Sequence, residues 1–166
     1  MKIAVQDANV FIDMEVASLF DPWFQLGIET HTTDFIRAEL EKGNHHVALR
    51  YFKTQQVKEH TSSFDELVQI AALETEVQNK AKFNDCSVLF LAMKLDAMLL
   101  SGDKALRHAA KVRHVETHGT LWMIDQLVIR GIISAEIASE KVSFLLSSNR
   151  YLPKTQCEQF IRKWLA

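Results

Sequence analysis

The sequence predicts an α/β fold built on a parallel sheet, and three observations carry that prediction. Short apolar runs at residues 2–6, 27–31, 97–101 and 112–116 alternate with longer stretches of helical periodicity. Glycine and proline are scarce, at 5 and 2 in 166 residues, which disfavours an all-β chain with many tight turns. Two of the apolar runs also lead directly into an acidic residue, in Lys2-Ile3-Ala4-Val5-Gln6-Asp7 and in Ala97-Met98-Leu99-Leu100-Ser101-Gly102-Asp103. Parallel strands with right-handed crossovers bring such junctions to one carboxyl edge, where open α/β sheets place their ligands.

Each element follows from local pattern. Residues 2–6 form a short buried strand. Val10, Phe11, Met14 and Ala17 recur at helical spacing and predict a helix over 9–20. Gly27 to His31 is a second, weaker strand. Thr32 or Thr33 then caps a helix carrying Phe35, Ile36, Glu39 and Leu40, which Gly43-Asn44 ends. Residues 45–60 and 64–80 read as two further helices, with Ser62-Ser63 between them as cap residues. Asn84 or Asp85 opens a helix whose buried stripe is Val88, Leu89, Ala92 and Leu95. Residues 97–101 make the strongest strand. Asp103 opens a helix to about Ala110, Val112 to Glu116 is the last strand, and helices follow near 119–130, 134–148 and 155–165. There is no internal repeat, low-complexity tract or linker, and Pro22 and Pro153 mark local breaks.

The totals bound the class of protein. A chain of 166 residues suggests one domain able to bury its own core. At 48% hydrophobic and 24% charged residues, the composition is that of a soluble globular protein. A net charge of −2 neither points to nucleic acid nor excludes it. Cys86 and Cys157 have no metal-ligand spacing and form no disulfide framework, so they read as reduced thiols. The first residues lack the features of a secretory signal, and no run approaches the ~18 apolar residues of a membrane span. A cytoplasmic protein without membrane association is expected.

Four carboxylates carry the chemistry. Asp7 and Asp103 each follow a strand and precede a helix, Asp85 sits at a helix start, and Glu39 lies about two turns into the helix after the second strand. Each also has a plain structural reading. The three aspartates suit N-caps, where a carboxylate meets free amides and the helix dipole, and Glu39 suits a solvated helix face. Carboxylates held together repel unless a proton or a cation lies between them. Oxygen ligands without Cys or a matched His pair suit a hard divalent cation such as Mg²⁺ or Mn²⁺.

These residues also resemble a family. Asp7-Ala-Asn9-Val-Phe-Ile, Phe35-Ile-Arg-Ala-Glu39-Leu, Asp85-Cys-Ser-Val-Leu-Phe-Leu-Ala92 and Leu100-Ser-Gly-Asp103-Lys-Ala-Leu-Arg107 resemble, in chain order, the four acidic motifs of PIN-domain nucleases. The likeness runs over about residues 1–118. His118-Gly119-Thr-Leu and Ile129-Arg-Gly131-Ile-Ile133 are similar to the C-terminal extension of a VapC-type, toxin-like subgroup. The resemblance implies a three-layer α/β/α fold with a short parallel sheet of four or five strands and a C-terminal helical extension. It implies one PIN-like domain over 1–166, with a core of about 1–118 and an extension of about 119–166. It also implies metal-dependent cleavage of RNA with Mg²⁺ or Mn²⁺. Asp7, Glu39, Asp85 and Asp103 match the catalytic and metal-binding positions, and Asn9 matches a polar position beside the first. Candidate partners are an RNA substrate, an antitoxin protein and a second copy of the chain. The alternative is a PIN-like protein-binding module with weak or no nuclease activity, and the intact acidic set argues against it. A phosphatase or other small-molecule phosphotransferase lacks its nucleophile motif.

Other constellations are weaker. Lys104, Arg107, His108 and Lys111 share one helix face beside Asp103, which could hold an RNA backbone or simply face solvent. Arg37 is a further candidate for backbone contact. His114-Val-Glu-Thr-His118 misplaces its glutamate for a zinc protease, and His45-His46 reads as exposed at a helix start. No Gly-rich phosphate loop or Gly-x-Ser-x-Gly motif is present. Phe11, Phe20 and Phe24 read as core, with Trp23 open between core and an exposed patch. Phe160, Ile161, Trp164 and Leu165 form an apolar stripe that packs on the parent chain by default, or on a partner.

Overall fold

Parallel pairing through β1 organises the molecule. A computed structural model describes residues 2–166. Among these residues five strands form one sheet in the order β3-β2-β1-β4-β5, all parallel. In chain order the elements are β1 (Ile3–Gln6), α1 (Ala8–Val16), α2 (Phe20–Phe24), β2 (Glu29–Thr33), α3 (Asp34–Lys42), α4 (His46–Lys53) and β3 (Val57–His60). They continue with α5 (Phe64–Glu76), α6 (Phe83–Leu95), β4 (Met98–Leu100), α7 (Lys104–Val112), β5 (Thr117–His118), α8 (Thr120–Ile129), α9 (Ala135–Ser147) and α10 (Lys154–Leu165). The layers are α/β/α, with a C-terminal helical extension, as expected.

Strands β1 and β4 read as short apolar runs because helices cover both faces, whereas β2 buries Thr30, His31, Thr32 and Thr33. Val5 pairs with His31 on one side and Leu99 on the other, and Gln6 pairs with Leu100. Helix α6 packs across β1 and β2, while α1 packs against α3, α4 and α8. The core joins Phe11, Leu99, Leu100, Leu106 and Met123, all fully buried. The extension closes on the same core. Helix α8 packs on α1 and α2, and α9 and α10 pack on α8. Trp164 is buried, and its indole N–H donates to Asp125 Oδ1 at 2.8 Å. Thus the apolar stripe of α10 packs on the parent chain, with Leu165 left 53% exposed. Trp23 is core too: it is fully buried, and its indole N–H donates to Thr30 Oγ1 at 2.8 Å.

Three expectations are corrected. The helix expected over 45–60 ends at Lys53, and β3 follows at the sheet edge. Val57-Lys58-Glu59-His60 hides its strand signal because an edge strand buries little, here Val57 alone in full. The helix expected over 9–20 breaks after Val16, where Ser18 takes a left-handed φ of 54°. A short helix then restarts, with Pro22 in its first turn where no amide donor is needed. The last strand comes at Thr117–His118, later than 112–116, because α7 runs on to Val112 and His114 turns the chain at φ 58°. Ser63 and Glu66 complete a capping box at the start of α5, as the Ser62-Ser63 pair suggested. Cys86 and Cys157 are both free and buried, and among the described residues no helix is long and apolar enough to cross a membrane.

Candidate active site

From β1 the chain crosses to β2 and β3 on one side, then to β4 and β5 on the other. The switch falls between β1 and β4, and a crevice at such a point lies at the strand carboxyl ends. Asp7 follows β1 directly, and its amide donates to the Leu100 carbonyl of β4 at 3.0 Å. Its side chain is only 2% exposed. One oxygen accepts from the Ala8 amide at 2.8 Å, and the other accepts from Ser101 Oγ at 2.9 Å. Asp7 therefore caps α1 with one oxygen and turns the other toward the end of β4.

The other three carboxylates are held from neighbouring elements. Asp103 caps α7, with Oδ1 accepting from the Leu106 amide at 2.7 Å. Its own amide donates to Ser101 Oγ at 3.0 Å, so Ser101 links Asp7 and Asp103. Asp85 lies in the first turn of α6, where Oδ2 accepts from the Lys82 amide at 3.1 Å. Glu39 reaches from α3, and Asn84 Nδ2 at the start of α6 donates to it at 2.6 Å. Behind that contact, Thr33 and Ser87 hydroxyls pair at 2.9 Å, and Ser87 donates to the Asn84 carbonyl at 2.6 Å, which fixes α3 against α6.

The carboxylates act on one another through their charges. Burial pushes the Asp7 carboxyl up to about 7, and the charges of Asp85 and Glu39 push in the same direction. The Ser101 and Ala8 hydrogen bonds oppose the rise. Asp85 is also raised, first by burial and then by Asp103 and Glu39, against the Lys82 amide. Among the described residues no three His, Cys, Asp or Glu side chains are arranged to hold a metal ion directly. A Mg²⁺-like ion, however, takes one or two carboxylates and keeps several waters. An oxygen-only donor set whose most buried member is pushed up to about 7 by burial and acidic neighbours lacks positive charge, and that fits such an ion.

The remaining candidates divide. Asn9, Lys104 and Arg107 line one cavity beside Asp103. Arg37 lies on the α3–α4 side, where its Nε donates to Glu59 at 2.7 Å and its guanidinium also pairs with Glu41. His118 pairs with Glu116 at 2.8 Å and stacks on Trp122, so it belongs to no zinc pair with His114. His45 bonds Glu15 at 2.6 Å, and His46 is exposed.

Sequence reasoning missed Ser101 and Asn84, the two polar partners that orient the carboxylates. A hydroxyl between a strand and Gly-Asp is the signal that could have found Ser101. It also missed Asp13 of α1, which is 6% exposed and accepts from Arg150 Nε and Thr120 Oγ1, both at 2.6 Å. Arg150 also donates to the Asn9 carbonyl at 3.2 Å, tying the extension to the site's rim. Asp13 and Arg150 lie 137 residues apart, so no local pattern joins them.

A family model described as PIN domain matches residues 3–165. The chain belongs to the PIN-domain family. Two solved structures share the fold of this PIN domain. PAE2754 from Pyrobaculum aerophilum superposes with a TM-score of 0.58 at 16% identity, covering 77% of this chain and 98% of its own. VapBC2 from Rickettsia felis, bound to a DNA fragment from their promoter, superposes at 0.53 and 14% identity, covering 70% of this chain and 98% of that chain. No curated protein matches. Both solved neighbours fit almost entirely within this PIN domain, which carries more chain than either.

Proposed function

We propose that this PIN domain is a metal-dependent ribonuclease that cleaves RNA phosphodiester bonds. The observation that supports this most is the buried Asp7 carboxyl, raised to about 7 by burial and by its acidic neighbours at the sheet's switch point. Asp7, Glu39, Asp85 and Asp103 would hold Mg²⁺ or Mn²⁺, which when bound polarises phosphate oxygens and makes water acidic enough to attack. The chain's own part is positioning. Ser101 aims one Asp7 oxygen, Asn84 holds Glu39, and the Leu106 amide fixes Asp103. Lys104 and Arg107 stand beside Asp103, where a phosphate backbone would need cations.

The VapBC neighbour supports an extension of the reading: a toxin of a toxin–antitoxin pair, acting in the cytoplasm, with an antitoxin protein and a second copy of the chain as partners. Purified protein should cut RNA with Mg²⁺ or Mn²⁺ and stop with EDTA. Asp7→Asn and Asp103→Asn should each abolish cutting while circular dichroism stays unchanged, and undiminished cutting by both variants overturns the assignment. The rival reading is a protein-binding module, favoured by the absence, among the described residues, of three donors arranged around one point. Calorimetry separates the two, because a module that has lost its chemistry binds no Mn²⁺.

A further inference from the structure

The C-terminal extension builds a second feature next to the acidic cluster. A cavity of about 640 Å³ opens between the carboxyl edge of the sheet, α8, residues 150–153 and α10. That volume lies within the roughly 300–1,000 Å³ of small-molecule sites. Gly102 and Lys104, the two chain neighbours of Asp103, both line it, so it lies beside the acidic cluster. One wall carries His118 and Trp122 as a stacked pair, with ring centroids 4.0 Å apart and planes 11° from parallel. Tyr151, fully exposed, stands on the same cavity.

Charge decides which ligand suits it. Lys104, Arg107 and Arg150 all line the cavity, and among the described residues the only carboxylate lining it is Asp13, which Arg150 already neutralises at 2.6 Å. Among the described residues neither Lys104 nor Arg107 forms an ion pair, so two cations face the cavity unspent. Arg107 also lies over Gly119, the residue before α8, where an added Cβ would sit 3.7 Å from its guanidinium. A basic peptide would be repelled here. An anion bearing a flat aromatic ring meets cations for its charge and a stacked platform for its ring. RNA-binding proteins read single strands by that combination.

We infer that this cavity is a nucleobase subsite. It takes the base of the nucleotide next to the scissile phosphate, stacks it on the His118–Trp122 pair and holds the adjoining phosphate with Lys104 and Arg107. The placement of the scissile phosphate rests on the ribonuclease reading; the binding of a nucleotide does not. The extension thus supplies recognition to a cleavage site built by the core.

Titration of metal-free protein with a nucleoside monophosphate, followed by tryptophan fluorescence, tests this. Trp122 is the partly exposed tryptophan, while Trp23 and Trp164 are buried, so quenching reports the cavity. AMP or UMP should quench, and ribose 5-phosphate should bind at least ~10-fold more weakly, the size of one base–aromatic stack. Trp122→Phe should retain nucleotide binding and Trp122→Ala should lose it, measured by calorimetry. Arg107→Gln, on an exposed residue that forms no ion pair among the described residues, should weaken AMP and ribose 5-phosphate alike. Equal affinity for AMP and ribose 5-phosphate, or unchanged AMP affinity in both Trp122→Ala and Arg107→Gln, overturns the subsite. So does displacement of bound AMP by an arginine-rich peptide that itself binds more tightly in wild type than in Trp122→Ala. Nucleotide binding that depends on Trp122 in a protein that cuts no RNA leaves the subsite standing and removes the ribonuclease reading. Metal-dependent cutting without nucleotide affinity does the reverse.

Discussion

Ser101 Oγ donates to Asp7 Oδ2 across 2.9 Å while accepting from the Asp103 amide at 3.0 Å, so one hydroxyl sets the position of the most buried carboxylate relative to the next. The contact also lowers Asp7's proton affinity against the pull of burial. Ser101→Ala leaves a buried oxygen without its donor, which costs about 1–2 kcal/mol of stability in urea unfolding. It also raises the Asp7 pKa further. In a ribonuclease that needs ionised Asp7, the acid limb of the pH–rate profile moves to higher pH. An unmoved acid limb separates Ser101 from the chemistry.

The same carboxyl makes stability depend on pH, and the direction follows from linkage. Asp7 ionises near 3.8 when unfolded and near 7 when folded. Between those values the folded chain holds a proton that the unfolded chain has lost. The stabilisation is complete below about pH 3.8 and disappears as pH rises through about 7. Each tenfold change in proton affinity is worth about 1.4 kcal/mol, so the contribution is on the order of a few kcal/mol. Glu66 acts in the opposite sense: Lys94 and the Ser63 amide hold it down to about 2, so its contribution is lost only as pH falls from 4.5 through that value. His60, held below its ordinary value by burial and by His31, opposes the Asp7 trend as pH falls. The Asp7 contribution is therefore read as a difference: metal-free wild type should gain stability over Asp7→Asn from about pH 8 to about pH 5. Added Mn²⁺ should stabilise the wild type at about pH 8 much more than at about pH 5, because ion and proton compete for one group.

Asp13 and Arg150 should prove the main clamp between α1 and the extension. Asp13 is nearly buried and holds both Arg150 and Thr120. Asp13→Ala strands a part-buried guanidinium and should cost about 3 kcal/mol in urea unfolding. Arg150→Met leaves Asp13 one partner in Thr120 and should cost less. A double-mutant cycle measures the coupling directly, and a coupling near zero would reduce the pair to a surface contact.

The parts of the fold legible in sequence were those where burial leaves a pattern. Asp7, Asp85 and Asp103 could be placed because each ends an apolar run or opens a helix with a strong stripe. Val57 to His60 could not, because an edge strand paired through Thr30 to Thr33 needs almost no apolar residues of its own. The acidic cluster was legible as four positions but not as a field. That Asp7 feels Asp85 and Glu39, while Ser101 joins it to Asp103, depends on strand register and helix docking. The cavity of the extension was invisible for a similar reason: His118, Trp122 and Tyr151 meet Lys104 and Arg107 only after α8–α10 fold back onto the core.

Two arginines that sequence alone placed together as backbone contacts should now behave differently. Arg107 faces the cavity beside Asp103 and has no ion-pair partner among the described residues, whereas Arg37 is already paired with Glu59 and Glu41. An arginine that meets a phosphate releases a counterion, and each such contact adds about 0.7 to the slope of log affinity against log salt for a single strand. Arg107→Gln should lower that slope by about 0.7, read by fluorescence anisotropy of a labelled single-stranded oligoribonucleotide across a salt series in EDTA. Arg37→Gln should change it much less, because its charge is spent on two carboxylates before RNA arrives. Its stability cost should also stay under about 1 kcal/mol, as for other exposed pairs. An equal fall in slope for both variants would return Arg37 to the binding face and draw the RNA path across α3 as well as α7.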